Sequence, residues 1–307
     1  MRPQLPSREA RCERFTLNLF SYPKGRNPKS AHPRRWVRSG VNIWSFASGS
    51  DGNCYLVESE GTALLVESGR PYIQIRDFLE AVGIEPDCLS GILLTHAHGD
   101  HCRSARYLSE THRVPIYASR GTLGALWLQD VSLARPIESG KTYPVGQMDV
   151  KPFAVPHDCR EPLGFRLEAG SGRAAIATDL GWVPHSVARQ FRDLDLLILE
   201  ANYDPHLLHT GTYPYFLKQR VAGTYGHLSN AAAAEAIAVC GERGPRAVWL
   251  AHLSEQNNSQ KHALQTVSRI LRRHGLSHVA LKTTHHRRSN LRWTSNVARE
   301  RQLPLFG

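Results

Sequence analysis

The chain is poor in methionine: Met1 and Met148 are its only two. It holds no apolar run near the ~18 residues that a membrane-spanning helix needs, which excludes a helical membrane anchor. Arg2, Arg8, Arg11 and Arg14 interrupt the N-terminal stretch, so no apolar signal-peptide core forms there and a cytoplasmic location is expected. No Cys-x-x-Cys pair occurs among Cys12, Cys54, Cys88, Cys102, Cys159 and Cys240. That scatter excludes a zinc ribbon or a disulfide framework, and the cysteines read as reduced thiols. No self-similarity at a solenoid period is present.

Acidic residues are scarce at both ends. Residues 1–40 carry ten Lys/Arg against two acids, and residues 282–307 carry six against one. The net charge of +11 therefore sits in the two ends, and residues 41–281 are close to neutral, at −2. Basic ends can steer a protein toward polyphosphate; they can equally be solvated tails. Residues 1–40 have no apolar period and read as a disordered basic extension. Val41 opens the first organised segment, and translation is expected to start there; peptides from residues 1–40 in the native protein, seen by mass spectrometry, would refute that. Residues 282–307 read as a basic flexible tail, which leaves residues 41–281 as the catalytic domain.

Within that domain, the run VNIWSFA leads into the turn-rich Ser48–Asn53. CYLVES and TALLVES read as a hairpin around Glu60-Gly61. A helix follows, with Pro71 near its first turn, Ile75, Phe78, Leu79 and Val82 on one face, and Gly83 as its stop. Four apolar runs then end in polar residues: LSGILLT before His96, AAIAT before Asp179, LDLLIL at Glu200 and RAVWLA before His252. MDVKPFAV ends before His157 in the same way. Helices are expected over 229–240 and 260–274, each closed by a glycine. Early hairpins followed by alternating strands and helices predict an α/β sandwich with helices covering packed sheets.

The segment THAHGDHC places His96, His98, Asp100 and His101 within six residues, directly after a buried strand. His96 and His98 are two apart and can face one side of an extended loop. Imidazole and carboxylate are ligands that zinc, manganese and iron accept. THAHGDH resembles the His-x-His-x-Asp-His signature of the metallo-β-lactamase superfamily. The resemblance implies a four-layer αββα fold and two divalent metal ions, Zn²⁺ or Mn²⁺ or else iron. It further implies that His157, Asp179 and His252 complete the site: His96, His98 and His157 on one metal, Asp100, His101 and His252 on the other, Asp179 on both. Glu67 stands where that family usually has an Asp that braces the histidine loop.

Metal ligands alone do not choose a reaction. Cleaving a phosphodiester expels an alkoxide, and a positioned acid that protonates it is worth roughly 10²–10⁴-fold. Glu200 in LILEANYD and His227 in YGHLSN can form such an acid, a histidine held by a carboxylate. Their layout is similar to that of RNase Z. EANYD, GTYP, LKQRVAGTYGHLSN, LAHLSEQNN and SGSDGN resemble the YycJ/WalJ family of metallo-β-lactamase-fold exonucleases. That resemblance implies 5′→3′ exonuclease action on DNA in repair or replication, by a bridging hydroxide on a dinuclear centre, with Asp100 orienting the attack and His227, held by Glu200, as proton donor. It makes Ser48, Gly49, Ser50 and Asn53 substrate candidates, with Lys218 and Arg220 for backbone phosphates. A small-molecule hydrolase of the same fold, acting on a thioester, lactone or cyclic phosphodiester, is the alternative.

The chain ends RQLPLFG. Gln302, Leu303, Leu305 and Phe306 follow a basic stretch with no core to join. QLPLF resembles the short peptide by which bacterial replication and repair enzymes bind the sliding clamp.

Overall fold

A computed structural model describes residues 40–286 and 291–295. The described residues begin with β1 (Asn42–Ala47), β2 (Cys54–Ser59) and β3 (Thr62–Val66). Glu60 and Gly61 both take positive φ, 48° and 83°. That is the primed two-residue turn that matches strand twist, as the hairpin reading expects. Helix α1 (Tyr72–Ala81) opens behind Pro71 and buries Ile75, Phe78 and Leu79. Short strands β4 (Gly91–Leu93), β5 (Ile116–Ala118) and β6 (Ala134–Pro136) follow, with α2 (Gly99–Cys102), α3 (Ala105–His112) and α4 (Arg120–Ala125) between them.

The second half supplies β7 (Tyr143–Val145), β8 (Met148–Ala154), β9 (Leu163–Ala169), β10 (Gly172–Ala177), β11 (Leu196–Glu200), β12 (Ala247–Ala251) and β13 (Ala280–Thr283). Its helices are α5 (His185–Ala188), α6 (Pro205–Thr210), α7 (Tyr215–Ala222), α8 (Asn230–Ala238) and α9 (Gln260–Arg273). Strand β14 (Leu291–Thr294) returns to the first half. Among the described residues the strands form two seven-stranded mixed sheets, ordered β14-β1-β2-β3-β4-β5-β6 and β13-β12-β11-β10-β9-β8-β7. β3 to β6 run parallel, as do β10 to β13.

Three cores hold the layers together. Ile43, Val57, Leu64, Phe165, Ile176 and Trp249 pack between the sheets. Leu56, Leu65 and Ile92 pack outward against α1, α3 and α4. Leu197, Leu199, Val248 and Leu250 pack outward against α5, α8 and α9. Neighbouring residues of one strand thus feed opposite cores, and strands buried on both faces read as unbroken apolar runs. The result is the four-layer αββα sandwich.

One expectation needs correction. The fold does not stop at Leu281: β13 extends to Thr283 as an edge strand on β12, and β14 pairs antiparallel with β1. Basic residues hid these strands, since edge strands tolerate charge; Arg292 lies 5.1 Å from the ring centroid of Trp44 in a cation–π contact. Cys54, Cys102, Cys159 and Cys240 are free thiols. Among the described residues no helix is long and apolar enough to cross a membrane.

Candidate metal centre

Every expected ligand sits where a strand ends. β4 runs out into the His96–His101 loop, β8 leads to His157, β10 to Asp179 and β12 to His252. The loop is pinned by backbone: Asn53 N–H donates to the Asp100 carbonyl at 2.7 Å, and Ser68 N–H donates to the His101 carbonyl at 2.7 Å. Gly69 lies so close beneath that a Cβ there would stand 1.7 Å from the Asp100 carbonyl oxygen.

The donor atoms converge in two groups. His96 Nε2 lies 3.0 Å from His98 Nδ1, and His157 Nε2 lies 4.0 Å from Asp179 Oδ1. His101 Nε2 lies 3.1 Å from Asp179 Oδ2 and 3.4 Å from Asp100 Oδ2; His252 Nε2 lies 3.8 Å from Asp100 Oδ2. A tetrahedral site with ~2.0–2.1 Å bonds spaces its ligands by roughly 3.3 Å. His157 Nε2, His252 Nε2 and Asp179 Oδ2 are buried and have no hydrogen-bond partner. Buried polar atoms left so are rare and call for a partner, and a divalent cation meets that need. The far sides of the rings are engaged. His157 Nδ1 donates to the Gly226 carbonyl at 3.2 Å, His252 Nδ1 donates to Glu200 Oε1 at 2.7 Å, and His96 Nδ1 lies 2.8 Å from Thr95 Oγ1. Such contacts fix the tautomer of a ligating histidine.

Glu67 is fully buried; its Oε1 accepts from Thr95 N–H at 3.1 Å and lies 3.5 Å from His101 Nδ1. The longer side chain thus still braces the histidine loop. Glu200 is also fully buried. Its Oε1 accepts from His227 Nδ1 at 2.8 Å as well as from His252, and its Oε2 accepts from the amides of Leu180 and Leu228, each at 3.1 Å. One carboxylate therefore braces both His252 and His227. The spacing of residues gives no hint of that double role.

Charge follows from this geometry. Burial, and then the neighbouring His101, holds His96 well below the usual histidine range; burial and His157 lower His98. Both imidazoles are neutral and ready to ligate. Burial opposes ionisation of Asp179, but His252 and His101 outweigh it and hold the carboxyl well below its usual range. Burial likewise opposes a charge on His252, yet the surrounding carboxylates of Asp179, Asp100 and Glu200 push it up to about 10. Glu200, buried but facing His227, falls to about 2. The carboxylates that keep protons on His101 and His252 supply the negative charge that divalent cations would otherwise neutralise.

A cleft of about 210 Å³ opens over this cluster, lined among others by Ser50, His98, Asp100, Arg220, His227 and His252. Of the substrate candidates, Ser50 and Arg220 reach it. Ser48 does not: it is buried, and its Oγ accepts from Tyr55 Oη at 2.7 Å and from His252 N–H at 2.8 Å. Asn53 lies beneath the site, fully buried, 3.1 Å from His101 Nε2. Gly49 packs on His286, whose Nδ1 would meet a Cβ at 2.1 Å. Lys218 donates to the His209 carbonyl, away from the cleft. Sequence reasoning missed Asp158, which lines the cleft and binds Arg220 at 2.7 Å, and Asn202, whose Nδ2 donates to the His252 carbonyl at 2.8 Å. Asp158 follows His157 directly, a signal that was available. Gln302, Leu303, Leu305 and Phe306 lie outside the described residues.

Residues 76–253 match the family model described as beta-lactamase superfamily domain. The chain is 34% identical to exodeoxyribonuclease WalJ of Streptococcus pneumoniae over 74% of its own length and 87% of that protein. It is 29% identical to exodeoxyribonuclease YycJ of Bacillus anthracis over 77% of its own length and 91% of that protein. Among solved structures, the metallo-beta-lactamase fold protein YhfI from Bacillus subtilis superposes with a TM-score of 0.65 at 16% identity, covering 84% of this chain and 100% of that one. The chain belongs to the metallo-β-lactamase superfamily and, within it, to the family of WalJ and YycJ.

Proposed function

We propose that the protein is a two-metal phosphodiesterase that degrades DNA from the 5′ end. The observation that carries this reading is the coexistence of a convergent donor cluster, with three of its buried atoms unpartnered, and a carboxylate-held histidine on the same cleft. The small-molecule alternative is not favoured, since the relatives that match over most of this chain are named exodeoxyribonucleases.

His96, His98 and His157 would hold one divalent ion, Asp100, His101 and His252 the other, with Asp179 shared between them. Zinc, manganese and iron all suit these donors. Two such ions would supply Lewis acidity toward the phosphate and make an attacking water more acidic. The protein's own residues do the rest. Asp100, partly open to the cleft, orients the attacking water. His227 uses Nδ1 to bind Glu200, which leaves Nε2 to protonate the departing 3′-oxygen. Arg220 stands at the cleft wall, where a backbone phosphate would meet it. The product is a 5′-mononucleotide, and work in DNA repair or replication in the cytoplasm fits that activity.

The test is digestion of 5′-labelled and 3′-labelled DNA oligonucleotides by purified protein with Mn²⁺ or Zn²⁺, and with chelator. Metal-dependent release of mononucleotide from the 5′ end first is expected. Metal-loaded protein that leaves DNA intact would overturn the reading in favour of a small-molecule hydrolase. The terminal QLPLF would tether the enzyme to the sliding clamp and raise its local concentration on DNA. Deleting residues 302–307 should abolish clamp binding and spare cleavage of a short oligonucleotide; unchanged clamp affinity would refute the tether.

A further inference from the structure

We infer that the side of the sandwich formed by α9, β13 and β14 is a second contact surface for DNA, which holds the sugar–phosphate backbone of the substrate beyond the cleft. This rests on the nuclease reading and adds where the rest of the strand runs. From Gln256 to Arg299 the chain contains no acidic residue, while it carries nine Lys/Arg. The fold gathers that stretch on one side. β13 and β14 are end strands of the two sheets, and only residues 284–290 join them. A surface with cations and no acids to balance them attracts polyanions.

The cations that carry the inference are free. Lys261, Gln265, Ser268, Arg269 and Arg272 recur at helical spacing and share one face of α9. The last four wall a groove of about 590 Å³, whose opposite wall is Val279 and Leu281. Lys261, Arg269 and Arg272 are exposed, and among the described residues none of the three has an ion-pair or hydrogen-bond partner. Glu235 meets His274 at 3.3 Å, on the opposite face of α9. Two guanidinium groups one helical turn apart, with an amide and a hydroxyl beside them, are the donors that phosphate oxygens accept.

Continuity with the cleft selects the substrate's own backbone over an acidic protein as the occupant. Just past β13, the His285 carbonyl accepts from Ser48 N–H at 3.0 Å, and Ser50, two residues on, lines the cleft. At the head of α9, Asn258 Nδ2 donates at 3.0 Å to the carbonyl of Asn202, another cleft residue. From Lys261 to Arg272 the cations run about 16 Å along the helix away from that end, which is room for several successive phosphates of one strand. Such contacts fix position and read neither sequence nor strand form. The surface therefore serves any DNA whose end sits in the cleft.

The probe is a fluorescein-labelled, phosphorothioate-protected oligo(dT), bound to the full-length, metal-loaded protein over a range of salt and read by anisotropy. Lys261→Gln, Arg269→Gln and Arg272→Gln combined should weaken binding and flatten the slope of log affinity against log salt by about 2, since each phosphate contact on a single strand contributes roughly 0.7. The three residues are exposed, so thermal unfolding should stay at wild type. Arg269→Lys with Arg272→Lys should keep the slope, which separates charge from shape. An oligo(dT) of equal length, with its 3′ half joined by uncharged methylphosphonates, should cost wild type more slope than it costs the Gln variant. A Gln variant with the wild-type slope, or equal loss in both proteins on the half-neutral strand, would overturn the surface. So would an intact DNA slope with binding of labelled poly-glutamate lost, which would make an acidic protein the occupant. Failure of the nuclease reading is seen separately, as absence of cleavage of an unprotected oligonucleotide by wild type.

Discussion

Replacing Glu200 by Gln is the most informative single change. Glu200 accepts four hydrogen bonds inside the protein, two on each oxygen, from His227 and His252 on one side and from the amides of Leu180 and Leu228 on the other. Gln has the same shape but one acceptor oxygen; its NH₂ must face two donors whichever way it turns. Two buried donors therefore lose their acceptor. Each costs about 1–3 kcal/mol, so the loss is about 4 kcal/mol. For a domain of roughly 250 residues that lowers the melting temperature by about 8–16 °C. If the amide keeps its oxygen toward Leu180 and Leu228, both histidines lose their brace, and metal affinity should fall by about 10- to 100-fold. Thermal unfolding, metal content per chain and oligonucleotide turnover should be measured on the same preparation. A Glu200→Gln protein that melts within ~2 °C of wild type, retains full metal and cleaves DNA normally would refute the claim that this carboxylate organises both histidines.

Further changes separate the parts of the site. His227→Ala should reduce DNA turnover by roughly 10²–10⁴-fold with metal content intact; wild-type turnover would remove His227 from the proton-donor role. Gly69→Ala forces a Cβ into the Asp100 carbonyl, so it should displace the histidine loop and lower metal stoichiometry, and full loading by metal analysis would contradict the packing. Ser48→Ala leaves the buried His252 amide and Tyr55 hydroxyl without their partner and should cost about 1–3 kcal/mol of stability. A Ser48→Ala protein of normal stability but impaired oligonucleotide binding would restore Ser48 as a substrate contact.

Much of the fold was legible because its strands are buried on both faces. AAIAT, LDLLIL and RAVWLA stand out as short apolar runs, and each ends at a functional residue, so one pattern gives both strand and site. The strands β13 and β14 escaped because they lie at sheet edges and carry Lys282 and Arg292, where composition speaks for a tail. Ser50 and Arg220 line the cleft. The family resemblance makes Ser48 and Asn53 substrate candidates, and nothing in a turn-rich, polar loop signals that they are buried. Their burial depends on the partners that fold over them, His252 and His101, which are distant in sequence. The same blindness hid the contact between Glu200 and His252, which are 52 residues apart.

A local device explains why strand periodicity points three site residues the wrong way. In β10, Ala174 and Ile176 face the sheet–sheet core, and Ala175 and Ala177 face the helices. Simple alternation would send Asp179 toward the helices as well. β12 repeats this: Trp249 and Ala251 face the sheet–sheet core, Val248 and Leu250 face the helices, and alternation would aim His252 outward. In β3, Leu64 and Val66 face inward and Leu65 outward, which would aim Glu67 at the helices. All three residues instead adopt positive φ, 65° at Glu67, 58° at Asp179 and 52° at His252. A left-handed residue breaks the pleat and swings its side chain off the strand's alternation. That conformation is uncommon for residues other than glycine and costs of order 1–3 kcal/mol each. It persists here because each residue is held from outside: Glu67 by the Thr95 amide, Asp179 by His101 and His252, and His252 by Glu200 and Ser48. The parallel strands carry these side chains to one end of the sandwich, and the left-handed turns aim them at a common point. Period-two reading finds the first of these steps; the second depends on backbone conformations that only the assembled site sustains.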